Sequence, residues 1–103
     1  MADKITHISR FNQQKDYSNL HFGNITPTDI DGFLDFKNIA FVIFELKVEN
    51  KEVPFGQLLA IERLVDNLQL SGKSTIGIIA EHNTNSSEII EAASCKVVSI
   101  RHK

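Results

Sequence analysis

A predicted β-hairpin is the strongest structural signal in this sequence of 103 residues. The run Ile39–Phe44 consists of β-branched and aromatic residues with one alanine, which is typical of a strand buried on both faces. The stretch Asp29–Phe36 precedes it, and Lys37-Asn38 separates the two as turn material, because Asn tolerates the left-handed conformation. We therefore expect a hairpin whose arms cover residues 29–36 and 39–48.

A long amphipathic helix is predicted after the hairpin. Apolar residues recur at positions 55, 58, 59, 61, 64, 65 and 68, a spacing that places one apolar stripe along a helix. Pro54 suits the start of a helix, and Gly72 lies just past the last turn, where glycine is favoured. The pattern predicts a helix from Phe55 to Leu70.

Shorter elements complete the predicted chain order. They are a short helix near residues 3–15, a short strand over Leu20–Thr26, a strand over Thr75–Ala80, a short helix from Ser86 or Ser87 through Ala93, and a last strand over Lys96–Ile100. Parallel pairing is expected where the long helix crosses over between strands. We expect a single α/β domain over residues 1–103, with a mixed central sheet flanked by helices, because a second core would be too small to be stable.

Charged side chains interrupt the predicted hairpin where charge is unexpected. Strands disfavour Asp, and a carboxylate such as Glu45 inside a buried strand is costly unless it is paired or bound to a metal. Lys47 follows Glu45 by two residues and therefore lies on the same strand face. Asp31 lies in the first arm, so the hairpin carries two carboxylates and an ammonium that need partners.

The length of the hairpin turn decides whether Asp31 meets Glu45. A two-residue turn would pair Phe36 with Ile39 and put Asp31 and Glu45 on opposite faces of the sheet. A three-residue turn, or a bulge at Gly32, would bring Asp31 directly across from Glu45. We expect one of the latter two solutions, because either one brings the two carboxylates and the ammonium together.

Two opposed carboxylates indicate a cation site. Directly opposed strand positions lie about 4.5–5.5 Å apart at Cβ, so Asp31 and Glu45 would repel each other unless a cation neutralised them. Oxygen ligands without His or Cys suit Mg²⁺, or Mn²⁺ as its substitute, rather than zinc. Lys47 would then orient or polarise an attacking water, or stabilise charge on phosphoryl oxygens.

The segment Pro27-Thr-Asp-Ile-Asp31-Gly, followed by Glu45-Leu-Lys47 with thirteen residues between Asp31 and Glu45, resembles the signature of the PD-(D/E)XK nuclease superfamily. That superfamily includes restriction endonucleases, Holliday-junction resolvases and repair or phage exonucleases. The resemblance implies a restriction endonuclease-like αβββαβ core and a Mg²⁺-dependent deoxyribonuclease in which Asp31 and Glu45 hold the metal and Lys47 is the catalytic lysine. Some branches place a Gln in the helix after the lysine, and Gln57 occupies that position.

The resemblance covers about residues 27–70 and departs from the family pattern at the N-terminus. Many members add an acidic ligand, usually Glu, from an N-terminal helix. Residues 1–28 contain no Glu, and only Asp3 and Asp16 could replace it. The alternative is therefore a catalytically silent relative that keeps the nuclease fold and binds nucleic acid or a host defence or repair protein. The small size suits a phage nuclease, and two cuts on a duplex favour a homodimer.

Several residues also have plainer interpretations. The three hairpin charges could form a cross-strand salt bridge on a solvated sheet face. Asp29 either supports the site or steers the turn after Pro27, and Asp35 is expected in solvent near the hairpin turn. Gln57 could be an ordinary surface residue of the helix, and Glu81 stands at a predicted strand end, where a surface position is the commoner outcome.

Charge and cysteine content limit the possible partners and the cellular compartment of the protein. The net charge of −2 provides no overall basic field for DNA, but Lys96, Arg101, His102 and Lys103 make the C-terminal end basic, and that end could contact a DNA backbone. Cys95 is the one cysteine of the sequence, so no intramolecular disulfide forms. The first twenty residues are too polar for a signal peptide, and the longest apolar run is too short to cross a bilayer. We expect a cytoplasmic protein without a membrane partner.

Overall fold

Residues 13–102, described in a computed structural model, form a four-stranded mixed β-sheet with a long helix on one face. The elements in chain order are β1 (Gly32–Phe36), β2 (Ala40–Val48), α1 (Phe55–Leu70), β3 (Ser74–His82), a 3-10 helix (Ala92–Ser94) and β4 (Lys96–Arg101). The strands lie side by side in the order β1-β2-β3-β4. Pairing is antiparallel between β1 and β2, parallel between β2 and β3, and antiparallel between β3 and β4. The predicted α/β class with a mixed sheet is confirmed.

The hairpin between β1 and β2 adopts the three-residue turn, one of the two predicted solutions. Phe36 pairs with Ala40, and the backbone N–H of Ile39 donates to the carbonyl of Phe36 over 3.0 Å. Lys37 and Asn38 have φ angles of 53° and 63°, the left-handed conformation that closes so tight a turn. The ladder runs without a shift through all five residues of β1, so the register needs no bulge.

Helix α1 packs on the sheet through its apolar stripe. Ile61 and Val65 of the helix contact Ile43 of β2, and these three side chains are 4%, 0% and 0% exposed. Leu64 and Leu68 pack beside them and are partly buried. Burying side chains of this size stabilises the fold by about 1.5–3 kcal/mol each, so this small cluster holds the helix to the sheet.

The ends of α1 lie where the sequence predicts them. The helix begins directly after Pro54 and ends two residues before Gly72, whose φ of 92° is the left-handed conformation that glycine adopts without strain. The chain thus crosses over one face of the sheet between β2 and β3, which explains why these two strands are parallel.

Strand β4 is fixed to α1 by an arginine near the C-terminal end of the strand. Arg101 donates to both carboxylate oxygens of Asp66 over 3.0 and 2.7 Å, and to Glu62 over 3.3 Å. A bidentate pair of this kind is among the stronger ionic contacts in proteins. Arg101, one of the basic residues expected to contact DNA, is therefore engaged within the fold.

The predicted strand over Leu20–Thr26 is wrong. This segment contains a tight turn in which Phe22 and Ile25 exchange backbone hydrogen bonds of 2.9 and 3.0 Å around Gly23, which has a φ of 61°. Phe22 is 80% exposed and Ile25 is 71% exposed. The apolar residues that suggested a strand are not covered by other described residues, so packing does not favour an extended ladder here.

The predicted helix from Ser86 or Ser87 through Ala93 is also wrong in extent. A single 3-10 turn, Ala92–Ser94, occupies its end. Before it, the backbone N–H of Asn85 donates to the Glu88 side chain over 2.7 Å, and the N–H of Glu88 donates back to the carbonyl of Asn85 over 2.9 Å. These reciprocal bonds close an isolated turn, which competes with helix formation.

The N-terminal prediction falls largely outside the described residues. Of the helix expected near residues 3–15, residues 13–15 are described and have no regular secondary structure. Within the described chain, two strands precede α1 and two follow it, where the αβββαβ order implies three and one. No helix among residues 13–102 has both the length and the apolar character needed to cross a membrane.

Candidate metal site

Glu45 occupies an unusually dry position for a carboxylate. It follows Ile43 by two residues in β2 and therefore lies on the face of the sheet that α1 covers, with 6% of its surface exposed. Strands β2 and β3 run in the same direction, so Glu45 lies near the carboxyl ends of two parallel strands. This edge is where open α/β sheets commonly bind ligands.

Asp31 approaches Glu45 from the neighbouring strand. Gly32 pairs with Phe44, and the same register extended by one residue places Asp31 across from Glu45. The Oδ2 atom of Asp31 accepts a hydrogen bond of 2.8 Å from the backbone N–H of Leu46, which fixes the Asp31 carboxylate beside β2. The opposition of Asp31 and Glu45 expected from the three-residue turn is therefore present.

The surroundings of Glu45 strongly raise the pKa of its carboxyl group. Burial is the largest cause and raises the pKa of Glu45. This pKa is raised further, to about 7, by the charge of Asp31, by a side-chain hydrogen bond with Asp31 and by the charge of Asp29. A hydrogen bond from Gln57 lowers this pKa. A proton on Glu45 relieves its repulsion with Asp31, and a cation would relieve the same repulsion.

Gln57 links the first turn of α1 to this pair. Its Nε2 atom donates to the backbone carbonyl of Asp29 over 3.2 Å, and its amide also hydrogen-bonds Glu45. Two observations place Asp29 close to the pair. Its carbonyl accepts the hydrogen bond from Gln57, and its charge raises the pKa of Glu45. Asp35, in contrast, lies in the turn region, where its Oδ1 atom accepts from the N–H of Asn38 over 2.8 Å, as expected for a solvated turn residue.

Lys47 shares the face of Glu45 but contacts a different carboxylate. Its Nζ atom lies 2.9 Å from Oε2 of Glu81, the residue that pairs with Lys47 across β2 and β3. Because β3 and β1 flank β2 on opposite sides, this contact turns the ammonium away from Asp31. The structure thus brings Asp31, Glu45 and Gln57 together. Lys47 lies two residues farther along β2, paired with Glu81.

Glu81 is the residue that sequence reasoning missed. It was expected at a solvated strand end, but its side chain is 17% exposed and engages Lys47. The signal that could have found it is the register of the parallel pair β2 and β3, which aligns Ala40 with Ser74 and hence Lys47 with Glu81. Hydrophobic patterns give little information on that register, because the apolar runs in the middle of both strands can pair in several registers.

The further acidic ligand of the family pattern is not found within the described residues. Asp16 accepts a hydrogen bond of 2.9 Å from the N–H of Ser18 and is exposed, and Asp3 lies outside the described residues. Gln13, Gln14 and Lys15 border a cavity with Asp29 and Asp31, so the chain passes close to the site there. Among residues 13–102, no three His, Cys, Asp or Glu side chains form a metal-binding group on their own.

The side chains present nevertheless suit a hard divalent cation. The Oε1 atom of Glu45 is buried and has no hydrogen-bond partner among the described residues. An unsatisfied buried acceptor is costly, and a cation bound to it would remove that cost. Two carboxylates completed by backbone carbonyl and water oxygens match the preferences of Mg²⁺ and Mn²⁺.

Comparisons of this chain with models of protein families, with curated proteins and with solved structures gave no match. The assignment of a function therefore depends on the residues of the site themselves.

Proposed function

We propose that this protein is a metal-dependent nuclease that hydrolyses DNA phosphodiester bonds. One observation carries the proposal: Asp31 and Glu45 face each other at the carboxyl end of the parallel strands, with a buried Glu45 oxygen that has no hydrogen-bond partner within residues 13–102. Such a pair is unfavourable alone and favourable around a divalent cation. The PD-(D/E)XK-like segment, with Asp31, Glu45 and Lys47 in the order of that signature, supports the same conclusion.

In this proposal Asp31 and Glu45 hold Mg²⁺, or Mn²⁺ as its substitute. A bound cation of this kind polarises phosphoryl oxygens and lowers the pKa of a bound water. Gln57 orients the Glu45 carboxylate through the hydrogen bond between them, and α1 limits the access of bulk water to that face. Lys47 lies on the same face and supplies a positive charge that assists the attacking water and stabilises negative charge on the phosphoryl group.

The substrate expected for this site is DNA. Phosphodiesters carry the negative charge that the cation and Lys47 would bind, and carboxylate-held Mg²⁺ is a common arrangement for phosphoryl chemistry. Lys96 and His102 remain candidates for contacts with the DNA backbone, whereas Arg101 is already paired with Asp66 and Glu62. The form of DNA that is cut is best determined directly, with linear, nicked and branched duplexes.

The test is a cleavage assay with Mg²⁺, Mn²⁺ or chelator on these three substrates. We expect cleavage by the wild-type protein only with a divalent cation, and a loss on the order of 10²-fold or more in Asp31→Asn and Lys47→Ala. Asp35→Asn is the matched control, since it removes one carboxylate from the same hairpin arm but in the turn. Cleavage that persists in Lys47→Ala would reveal a contaminating nuclease, and a wild-type protein without activity would reject the proposal.

A second candidate function is a silent nuclease-fold protein that binds nucleic acid or a host defence or repair protein. The observation that favours it is the contact between Lys47 and Glu81, which draws the lysine away from the two carboxylates. This candidate predicts that the wild-type protein binds Mn²⁺ or DNA but cleaves none of the three substrates. Cation-dependent cleavage that is lost in Asp31→Asn would eliminate it.

A further inference from the structure

We propose that Glu81 is a positioning residue that keeps Lys47 off the Asp31–Glu45 pair and so leaves that pair open for a cation. The inference rests on the proposed function, because it assigns Glu81 a role relative to the proposed cation site. Glu81 itself does not contact the Asp31–Glu45 pair in this role; it acts through the ammonium of Lys47.

The contact between Glu81 and Lys47 is well defined. The two residues are pairing partners on neighbouring parallel strands, with 2.9 Å between Nζ and Oε2. Their side chains are 17% and 18% exposed, so the pair is less screened by solvent than an ordinary surface pair. A charge-assisted hydrogen bond of this length is stronger than one between neutral groups. The contact therefore restrains the direction in which the lysine side chain points.

Glu81 has polar neighbours other than Lys47. The hydrogen bond from Lys47 has the largest effect in lowering the pKa of Glu81, and a hydrogen bond from the backbone N–H of Asn50 and the charge of Lys96 act in the same direction. The loop after β2 is tied to β3 by a backbone bond of 2.7 Å from the N–H of Glu49 to the carbonyl of His82. Glu81 therefore lies on a strand whose backbone is fixed, and the flexible lysine side chain is drawn toward its carboxylate.

The alternative position for the Lys47 ammonium is the site itself. Glu45 and Lys47 lie on the same face of β2 with Cα atoms roughly 6.6 Å apart, within reach of a flexible lysine stem. The carboxylate of Asp31 is fixed beside β2 across from Glu45, and an ammonium between the two acids would relieve their repulsion. Without Glu81, Lys47 would neutralise Asp31 and Glu45 and compete with a divalent cation for them.

Calorimetric titration with Mn²⁺ at pH 8 tests this inference through a set of variants. We expect Glu81→Gln to bind Mn²⁺ on the order of 10-fold more weakly than the wild type, because the released ammonium repels the cation. The double variant Glu81→Gln/Lys47→Met lacks that ammonium, and we expect its affinity to return to the wild-type value. Glu62→Gln, which removes a carboxylate from the other ion pair of this face, is the control and should leave the affinity unchanged.

The restoration in the double variant separates positioning from other roles. If Glu81 were a cation ligand or a support of the fold, removing Lys47 as well would not restore binding, and that result would overturn the inference. Equal affinity of the wild type and Glu81→Gln would also overturn it while leaving the cation site intact. A wild-type protein that binds no Mn²⁺ would reject the proposed function together with this inference.

Discussion

Glu45 is the residue on which the proposed metal site depends most. It lies two positions after the fully buried Ile43 and places a carboxylate on the buried face of the sheet. Asp31 adds a second carboxylate directly across the hairpin. Desolvation and repulsion both favour the protonated form, which explains why the pKa of Glu45 rises to about 7. A carboxyl group that is unfavourable when ionised and alone is well suited to bind a cation.

The raised pKa of Glu45 predicts a pH-dependent loss of stability in the metal-free protein. The unfolded chain releases this proton near the ordinary glutamate pKa of 4.5 and the folded chain near 7, so the folded state loses stability as pH rises between these values. Above pH 7 the full loss applies, on the order of 2–3 kcal/mol. Urea unfolding at pH 5 and pH 8 measures it.

Comparison with Glu45→Gln isolates this contribution from those of other carboxyl groups. Going from pH 5 to pH 8, we expect the wild-type free energy of unfolding to fall by about 2–3 kcal/mol more than that of the variant. Parallel pH profiles of the wild type and Glu45→Gln would show that Glu45 carries no such penalty.

At the scale of residues, the pairing across the hairpin was predictable and the pairing across the parallel strands was not. A turn of fixed length sets the antiparallel register, so Asp31 and Glu45 could be matched from the sequence once three turn residues were assumed. Between β2 and β3 lies the whole of α1, and no local turn fixes that register. The contact of Lys47 with Glu81 depends on it, which is why the sequence did not reveal this contact.

At the scale of elements, two glycines have opposite surroundings, because Gly77 lies where α1 crosses β3 and Gly56 lies in open space. A Cβ at Gly77 would lie 3.0 Å from Cγ2 of Val65 and 3.6 Å from Cγ2 of Ile61, so the helix approaches the strand closely there. Gly56, in the first turn of α1, has nothing within 4 Å of the same position. The close approach positions the helix that carries Gln57 against the site.

We therefore expect Gly77→Ala to destabilise the protein and Gly56→Ala to stabilise it. Overpacking against Val65 costs about 1–3 kcal/mol, whereas replacing a helical glycine by alanine in open space contributes about 0.5–1 kcal/mol of stability. Denaturant unfolding of the two variants measures both effects. Equal stability of the two variants would mean that the helix does not approach β3 as closely as described.

The elements that were predicted correctly share strong and redundant signals. Helix α1 has an apolar stripe, a proline at its start and a glycine past its end, and β2 has an unbroken apolar run. The strand expected over Leu20–Thr26 had only composition in its favour, and its exposed Phe22 and Ile25 find no described neighbour to pack on. Element boundaries thus followed the sequence where packing and local signals agree.

At the scale of the whole molecule, the fold presents two contrasting sheet faces. The face toward α1 carries the small core, with Glu45 and the Lys47–Glu81 pair toward the carboxyl ends of β2 and β3, which places the candidate site at an edge of the core. On the opposite face Leu34, Phe36, Val97 and Ile100 are each at least half exposed within the described structure. The charge of the site is local, since the whole sequence has a net charge of only −2.

The central claim is that Asp31 and Glu45 together hold a divalent cation, and anomalous diffraction from crystals grown with Mn²⁺ tests it most directly. We expect an anomalous peak between the two carboxylates, with metal–oxygen distances of about 2.0–2.2 Å, and its absence from Asp31→Asn crystals under the same conditions. A wild-type map without a peak there, or with the two carboxylates directed to opposite faces of the sheet, would contradict the account.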